Sequence, residues 1–333
     1  MAARLMKPIA KRLGPVALAI GALTLPAGGA AAHDKGGQSV KPSCDSACLE
    51  AMMTRYMSAL VVRDPSRLPW ADKVRSSENN VMLQVGDGLW NVVNHKYPQE
   101  LIFSDPERGE VGYLGMVDER GTPGFFAMRM KVVDGKIAET ESLINPPDLT
   151  RPPNPGGGDP KEYRHYPVMS EVLPPEKRTP RRKMIDLAYG YFSTLQLNDG
   201  HLFTDFADDC KRLENGFESA GNPKFDRPEG PLSCGEQFKT GTFTFNTAVR
   251  DRDFLVIDEA RGLVLARGFI DHNAQAASGH LANGTEIKSW IRVPETRTML
   301  ELFHITAGKI DRIEAVHLVV PYGMPSVWRR DGE

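Results

Sequence analysis

Ser104-Asp105-Pro106-Glu107-Arg108-Gly109, leading to Gly115-Met116-Val117-Asp118, returns later in the chain as Ile257-Asp258-Glu259-Ala260-Arg261-Gly262, leading to Gly268-Phe269-Ile270-Asp271. The matching Asp, Arg, Gly, Gly and Asp keep a single ungapped offset of 153 positions, which chance rarely produces. Towards the N-terminus, Tyr56, Ser58, Leu60 and Asp64 match Tyr191, Ser193, Leu195 and Asp199, and Glu78-Asn79 matches Glu214-Asn215 at an offset of 136. Towards the C-terminus, the hairpin signal Gly135-Lys136-Ile137 matches Gly308-Lys309-Ile310 at 173. The growing offset places insertions of 17 and 20 residues in the second copy. The chain reads as a duplicated unit, and a repeat of this kind governs the rest of the fold assignment.

The length of 333 residues suits two domains. Residues 1–32 have the order of a secretory signal peptide: Arg4, Lys7, Lys11 and Arg12, an apolar run from Val16 to Leu25, Pro26, then Ala30-Ala31-Ala32. That run is about half the length a spanning helix needs, so the expected product is exported, periplasmic or extracellular, with no membrane anchor. Without the four basic residues of the signal, 43 acidic side chains face 37 basic ones. An acidic chain of this kind argues against nucleic acid or an anionic membrane as partner. The expected partners are a small-molecule substrate and a second copy of the chain in a homodimer.

Four cysteines in an exported chain predict disulfides rather than a metal site. Cys210 with Cys234, flanking the first insertion, and Cys44 with Cys48 as a local clasp form the favoured pairing; spacing alone leaves three pairings open. Residues 33–43 read as a polar, Gly-rich mobile arm. Cleavage after Ala32 would make His33 the N-terminus, where amine and ring can chelate copper; this is the outlying reading.

Apolar residues at helical spacing predict a helix from Cys48 to Leu60 and another through Met184, Leu187, Ala188, Tyr191, Phe192 and Leu195. In the first copy a short helix or turn carries Glu78-Asn79. Strands follow at Val81 to Val85, Leu101 to Phe103, Val111 to Val117, Phe125 to Val133 and Ile137 to Ile144, the last two joined at Asp134-Gly135. Between Asn145 and Pro180 lie ten of the 25 prolines, so residues 145–180 form an extended linker. The resulting division is 44–144 for the first domain and 181–333 for the second. Each is α+β, with N-terminal helices followed by a curved antiparallel sheet.

Helix, turn, then a strand run ending in a Gly-Lys-Ile hairpin resembles the nuclear transport factor 2-like, or SnoaL-like, superfamily, whose members are cone-shaped α+β barrels. The superfamily includes ketosteroid isomerases, scytalone dehydratase and limonene epoxide hydrolase. The tandem pair behind a signal peptide also resembles an exported two-copy family of uncertain function. The resemblance implies cofactor-independent acid/base chemistry in a conical pocket, or binding without catalysis, since the same fold hosts both.

Proton transfer in such a pocket needs a carboxylate or histidine whose pKa an apolar wall moves towards neutrality. Histidines concentrate in the second copy, at His201, His272, His280, His304 and His317. Folding the last hairpin about Ala307-Gly308 without a bulge places Glu301 opposite Glu314 and Phe303 opposite Arg312 on one face. The other face then carries His304 opposite Asp311 and Thr298 opposite His317. Two facing carboxylates on an apolar face are unfavourable unless Arg312 neutralises them or one stays protonated, the second case being an acid/base site, and His304 beside Asp311 is a general-base pairing. His272 falls at a strand end, near a pocket rim. The candidates for catalysis are therefore Glu301, Glu314, His304, His317 and His272, with Phe303, Arg312, Tyr191 and Glu214 for substrate binding and no metal or cofactor. The function expected is a lyase or isomerase of dehydratase type acting on a small, largely apolar molecule. A non-catalytic binding or assembly module and an epoxide-type hydrolase are the alternatives; for the latter, Asp251-Arg252-Asp253 reads more simply as a charged loop.

Overall fold

A computed structural model describes residues 44–145, 158, 162–275, 278–281, 283–288 and 291–329. The residues read as a signal peptide, those read as an arm with His33, and part of the Pro-rich stretch lie outside the described residues. In chain order the N-terminal half contains α1 (Ser46–Val61), β1 (Trp70–Glu78), β2 (Val81–Met82), β3 (Val93–Lys96), β4 (Leu101–Asp105), β5 (Glu110–Glu119), β6 (Thr122–Val133) and β7 (Lys136–Asn145). The C-terminal half contains α2 (Arg181–Leu197), β8 (Phe206–Glu214), β9 (Phe217–Ala220), α3 (Cys234–Lys239), β10 (Ala248–Asp258), β11 (Leu263–His272), β12 (Ser278–His280), β13 (Glu286–Lys288), β14 (Glu295–Thr306) and β15 (Lys309–Pro321). Each half is α+β, one long helix against one sheet. The N-terminal sheet runs β2-β1-β7-β6-β5-β3 with β4 also on β5; the C-terminal sheet runs β10-β11-β14-β15-β8-β9.

Two expectations change. Glu78 ends β1 rather than a helix or turn, and Val81 to Val85 shrinks to the two-residue edge strand β2. The apolar run misled because β1, from Trp70 to Glu78, is polar on its exposed positions and carries little hydrophobic signal. Each sheet is also mixed, since β1 pairs parallel to β7 and β8 parallel to β15. A left-handed asparagine after the glutamate fixes this parallel edge in both halves. Asn79 and Asn215, at φ 49° and 45°, accept from Ile144 N–H at 2.9 Å and His317 N–H at 3.1 Å.

The repeated Asp-x-x-Arg-Gly stretch acts through three parts. Asp105 and Asp258 accept the backbone N–H of Arg108 (3.3 Å) and Arg261 (3.0 Å), closing a turn. Gly109 and Gly262 follow at φ 63° and 71°, where an added Cβ would lie 2.6 Å and 2.3 Å from the carbonyls of Val132 and Ile305. Only glycine tolerates both the angle and that approach. Each glycine carbonyl takes the N–H of that same residue at 2.8 Å, and at this point the final hairpin of each half bulges, between Lys131 and Val132 and between His304 and Ile305. The arginine side chains then cross between the halves: Arg108 donates to the Phe254 carbonyl at 2.6 Å, and Arg261 to the Ile102 carbonyl at 2.5 Å.

Three cores result. One lies between α1 and the concave face of its sheet, a second between α2 and its own sheet. The third joins the two outward faces, with Leu101, Phe103, Leu114 and Leu143 meeting Leu255, Leu263, Leu300 and Leu302. Linker residues Tyr163 and Met169 are buried there as well. The chain end returns to the N-terminal half, where Trp328 donates to Ser77 Oγ at 2.8 Å under the guanidinium groups of Arg75 and Arg129. Both expected disulfides are present, Cys44–Cys48 and Cys210–Cys234. No helix among the described residues is long and apolar enough to cross a membrane.

Candidate active site

The bulge decides which residues share the concave face of the C-terminal half. Asp311 is the extra residue, so beyond it Glu301 lies opposite Ala315, Leu302 opposite Glu314, Phe303 opposite Ile313, His304 opposite Arg312 and Met299 opposite His317. The facing Glu301–Glu314 pair, and with it Phe303 opposite Arg312 and Thr298 opposite His317, is thereby corrected: one residue inserted into β15 exchanges its two faces. Glu314 faces the N-terminal half and holds the linker, accepting from Tyr166 N–H at 2.8 Å and meeting His165 Nδ1 at 2.5 Å. His304 does meet Asp311, at 2.5 Å, but on that same outward face, buried away from the concavity. Arg312 pairs there with Asp209 at 3.0 Å and covers the ring of Tyr166. Asp251, Arg252 and Asp253 point apart, to Arg250 and Arg329, to Ser193 and Gln196, and to Arg267.

What the bulge removes from one face it adds to the other. Strand pairing aligns Ala266, Glu301, Ala315 and Glu214 in one row, and Gly268, Met299 and His317 in the next. Arg297 follows with Ile270 and Val319, then Glu295 with His272 at the strand ends. Glu301 and Glu214 are therefore two strands apart, about 10 Å between backbones, with only the small Ala315 between them. Tyr191, from α2, donates to Glu301 Oε1 at 2.9 Å, and its ring packs on Phe303 at 4.9 Å. Arg212, two residues before Glu214 and so on the same face, donates through Nε to Glu214 at 3.3 Å and through Nη2 to Gln237 Oε1 at 2.8 Å. Gln237 and Phe238 come from α3, which the Cys210–Cys234 disulfide ties to β8.

Electrostatics separate the two carboxylates. Burial, with repulsion from Glu214 added, pushes Glu301 from its ordinary 4.5 up to about 8, and the Tyr191 hydroxyl and Arg212 offset only part of this. Burial opposes the charge on Glu214 too, but Arg212, His317 and the Ser219 hydroxyl outweigh it and hold its pKa below the ordinary value. At neutral pH Glu301 carries its proton and Glu214 does not. Burial, reinforced by the charge of Arg297, lowers both His317 and His272 to about 4, so both rings are neutral. Glu214 keeps 32% of its side-chain surface accessible, so it is reached by solvent rather than packed in the core. Glu301 Oε2, Arg212 Nη1 and His272 Nδ1 are buried with no hydrogen-bond partner among the described residues. Buried polar atoms are rarely left so, and the register puts Glu301 and His272 on the concave face, with Arg212 beside Glu214 there.

Of the nine candidates read from the sequence, the concave face thus collects Glu301, His317, His272, Phe303, Tyr191 and Glu214. Glu314, His304 and Arg312 lie on the outward face. Sequence reading missed Arg212, Arg297, Gln237 and Ser219. The first two were within reach, since strand alternation puts Arg212 beside Glu214 and Arg297 beside Glu301, and the first copy has Ser76 and Gly124 at the matching positions. Gln237 sits in an insertion with no counterpart.

A family model for a domain of unknown function (DUF8021) matches residues 177–317. No curated protein matches the chain. Solved structures similar to it include a candidate isomerase from Bacillus subtilis, at 10% identity over 41% of this chain and 87% of that one, TM-score 0.27. A candidate ketosteroid isomerase from Kribbella flavida DSM 17836 is similar at 16% identity over 39% and 98%, TM-score 0.24. LinA is similar at 13% identity over 45% and 94%, TM-score 0.24.

Proposed function

We propose that the C-terminal half is a cofactor-independent lyase or isomerase, and that the chain is an exported tandem of two nuclear transport factor 2-like domains of which the first is a non-catalytic scaffold. The observation that carries the activity is the divided pair of carboxyl groups: Glu301 neutral, Glu214 ionised, on one concave face. Environments that push two titratable groups apart assign acid and base. Glu214, with no hydrogen bond to its Oε1, takes a proton from a carbon next to a carbonyl. Glu301, held by Tyr191, presents its Oε2 proton to the oxygen that gains charge. Returning the proton to another carbon completes an isomerisation. Passing the Glu301 proton to a departing hydroxyl, which leaves as water, completes a dehydration. The disulfides and the signal-like N-terminus support export.

The test is hydrogen–deuterium exchange at carbon in heavy water, followed by mass spectrometry across small ketones, β-hydroxy carbonyl compounds and their carboxylic-acid analogues. Glu214→Gln is expected to slow exchange by about 10²- to 10⁴-fold, the usual contribution of a general base, and Glu301→Gln to slow it as well. The matching Glu78→Gln leaves it unchanged. Equal exchange in wild type, Glu214→Gln and Glu301→Gln would overturn the assignment and leave the concave face as a binding surface only.

A further inference from the structure

We propose that the outward face of the N-terminal half, at Arg75, Ser77, Asn80 and Arg129, is a peptide-binding site, and that residues 324–329, beyond β15, are its exchangeable ligand. The inference is independent of the acid/base reading, which concerns the concave face of the other half.

Ser77, Glu141 and Arg129 form one row across β1, β7 and β6. Arg75 lies two residues before Ser77 on β1 and so shares that face. Trp328 rests on this row. Its indole N–H donates to Ser77 Oγ at 2.8 Å, the guanidinium carbons of Arg75 and Arg129 each lie 4.3 Å from its ring centre, and only 7% of its surface stays accessible. Cation–ring contacts gain strength where water is excluded in this way.

The backbone of the segment is held as well as its anchor. Asn80, in the left-handed region at φ 61°, donates from Nδ2 to the Pro325 carbonyl at 2.9 Å and accepts Val327 N–H on Oδ1 at 3.0 Å. One amide side chain thus takes two alternate positions of a passing peptide, and Arg75 adds a bond to the Val327 carbonyl at 3.2 Å. Residues 324–329 contain no helix and no strand, so side chains rather than a sheet ladder hold them on this half. A buried aromatic anchor ringed by backbone contacts is the pattern of a bound peptide. Towards the C-terminal half, Arg250 donates to the Met324 carbonyl at 2.7 Å and Arg329 pairs with Asp251 at 2.7 Å. The segment is therefore a strap across the two halves, joined to β15 through the exposed Tyr322-Gly323.

The fold does not require this site. The matching row of the C-terminal half is Leu213, Glu314 and Leu302, apolar where Ser77 and Arg129 stand, with Gly216 in the place of Asn80. That row is covered by the linker, which Glu314 holds through His165 and Tyr166. Both halves receive a crossing segment on the same row, and the N-terminal half selects its own through polar and cationic side chains.

Fluorescence anisotropy of a labelled peptide spanning residues 322–329 tests this on the full chain. Trp328→Ala frees the site and is expected to bind the peptide at least about tenfold more tightly than wild type, whose own strap competes at the high effective concentration of a tethered ligand. A peptide carrying Trp328→Ala should not bind. Adding Asn80→Ala to the Trp328→Ala chain should weaken binding about tenfold, the loss of one anchoring side chain. Equal binding to wild type and variant, no binding to a Trp328→Ala chain of native circular dichroism, or equal binding of the two peptides would each overturn the site. A second measurement covers a Trp328→Ala chain that does not fold. An otherwise wild-type chain with a protease recognition sequence inserted between Tyr322 and Gly323 is cut after folding. The segment should stay bound through gel filtration and be displaced by excess unlabelled peptide. Its loss on cutting, or retention that excess peptide cannot reverse, would show that the strap is not an exchangeable ligand.

Discussion

The two halves of this chain share an order of elements and differ in what their concave faces hold. Tyr56 and Tyr191, and Glu78 and Glu214, occupy matching places, but Met128, Ile144, Ser76 and Gly124 stand where the C-terminal half has Glu301, His317, Arg212 and Arg297. In the N-terminal half Tyr56, Trp70 and Trp90 pack edge to face. The cavity that remains, lined by Tyr56, Ser76, Glu78, Trp90, Phe126 and Ser142 among others, is about 20 Å³, room for about one water molecule. Glu78 there accepts from Leu89 N–H at 2.8 Å and serves the local loop. The same scaffold has one interior built of apolar side chains around Tyr56 and one that also buries Glu301 and Arg212. What the halves share is therefore the architecture, and what they do not share is the candidate chemistry.

The strongest way to break this comparison is to exchange interiors. Met128→Glu buries a carboxyl beside Tyr56, the counterpart of Tyr191, but with Ser76 where Arg212 would stand, and a loss of about 3–5 kcal/mol of unfolding free energy is expected, the scale of an uncompensated buried charge. Glu301→Met, the reverse change, should leave stability equal or higher while exchange activity falls. Urea denaturation measures both, and equal losses in the two variants would show that the interiors are not specialised. Next, the double variant Cys210→Ala, Cys234→Ala releases α3 from β8 and should cost about 3 kcal/mol for a loop of this length. It should lower exchange activity as Gln237 and Phe238 loosen around Arg212, whereas removing Cys44 and Cys48 affects stability alone. Smaller still, Arg108→Ala and Arg261→Ala should each cost about 1–2 kcal/mol, because each removes a charge-assisted bond to a carbonyl of the other half. Arg261→Ala should cost the more of the two, since Arg261 also pairs with Glu50 at 2.8 Å, and no loss in either variant would argue against the reciprocal clasp.

A last effect is a slope with pH. Glu301 has a folded pKa raised from 4.5 to about 8, so the stability its proton confers is full below 4.5 and is lost as pH rises towards 8. His272 and His317 are lowered from 6.5 to about 4, so their contribution is full above 6.5 and is lost as pH falls towards 4. Glu301→Gln should flatten the alkaline limb of a stability–pH curve and leave the acid limb in place. An unchanged alkaline limb would show that Glu301 is ionised in the folded chain.

Much of this was legible in the residues. Helical spacing located α1 and α2, alternation and turn signals located β4 to β7, and the insertion boundaries suggested the Cys210–Cys234 staple. The repeated Asp-x-x-Arg-Gly stretch was recognisable as scaffold because both copies carry it. Its action was not, since Arg108 and Arg261 reach partners that only the packing of the halves brings near. The faces of β15 were misread for a related reason. A simple alternation put Glu314 on the face of Glu301 and His317 on the opposite one, but the Gly262 carbonyl captures Ile305 N–H and forces Asp311 out of register.

The sequence by itself determined the α+β elements and the residue types available for acid/base work, because these follow from periodicity and composition within a few residues of chain. Only the tertiary structure decided which of those residues meet. A backbone hydrogen bond made across the sheet sets the bulge, the bulge sets the face, and the face sets whether a carboxyl group ends beside an arginine, a tyrosine or another chain segment. The distinction between Glu301 as a buried acid and Glu314 as a clamp on the linker rests on one residue of register.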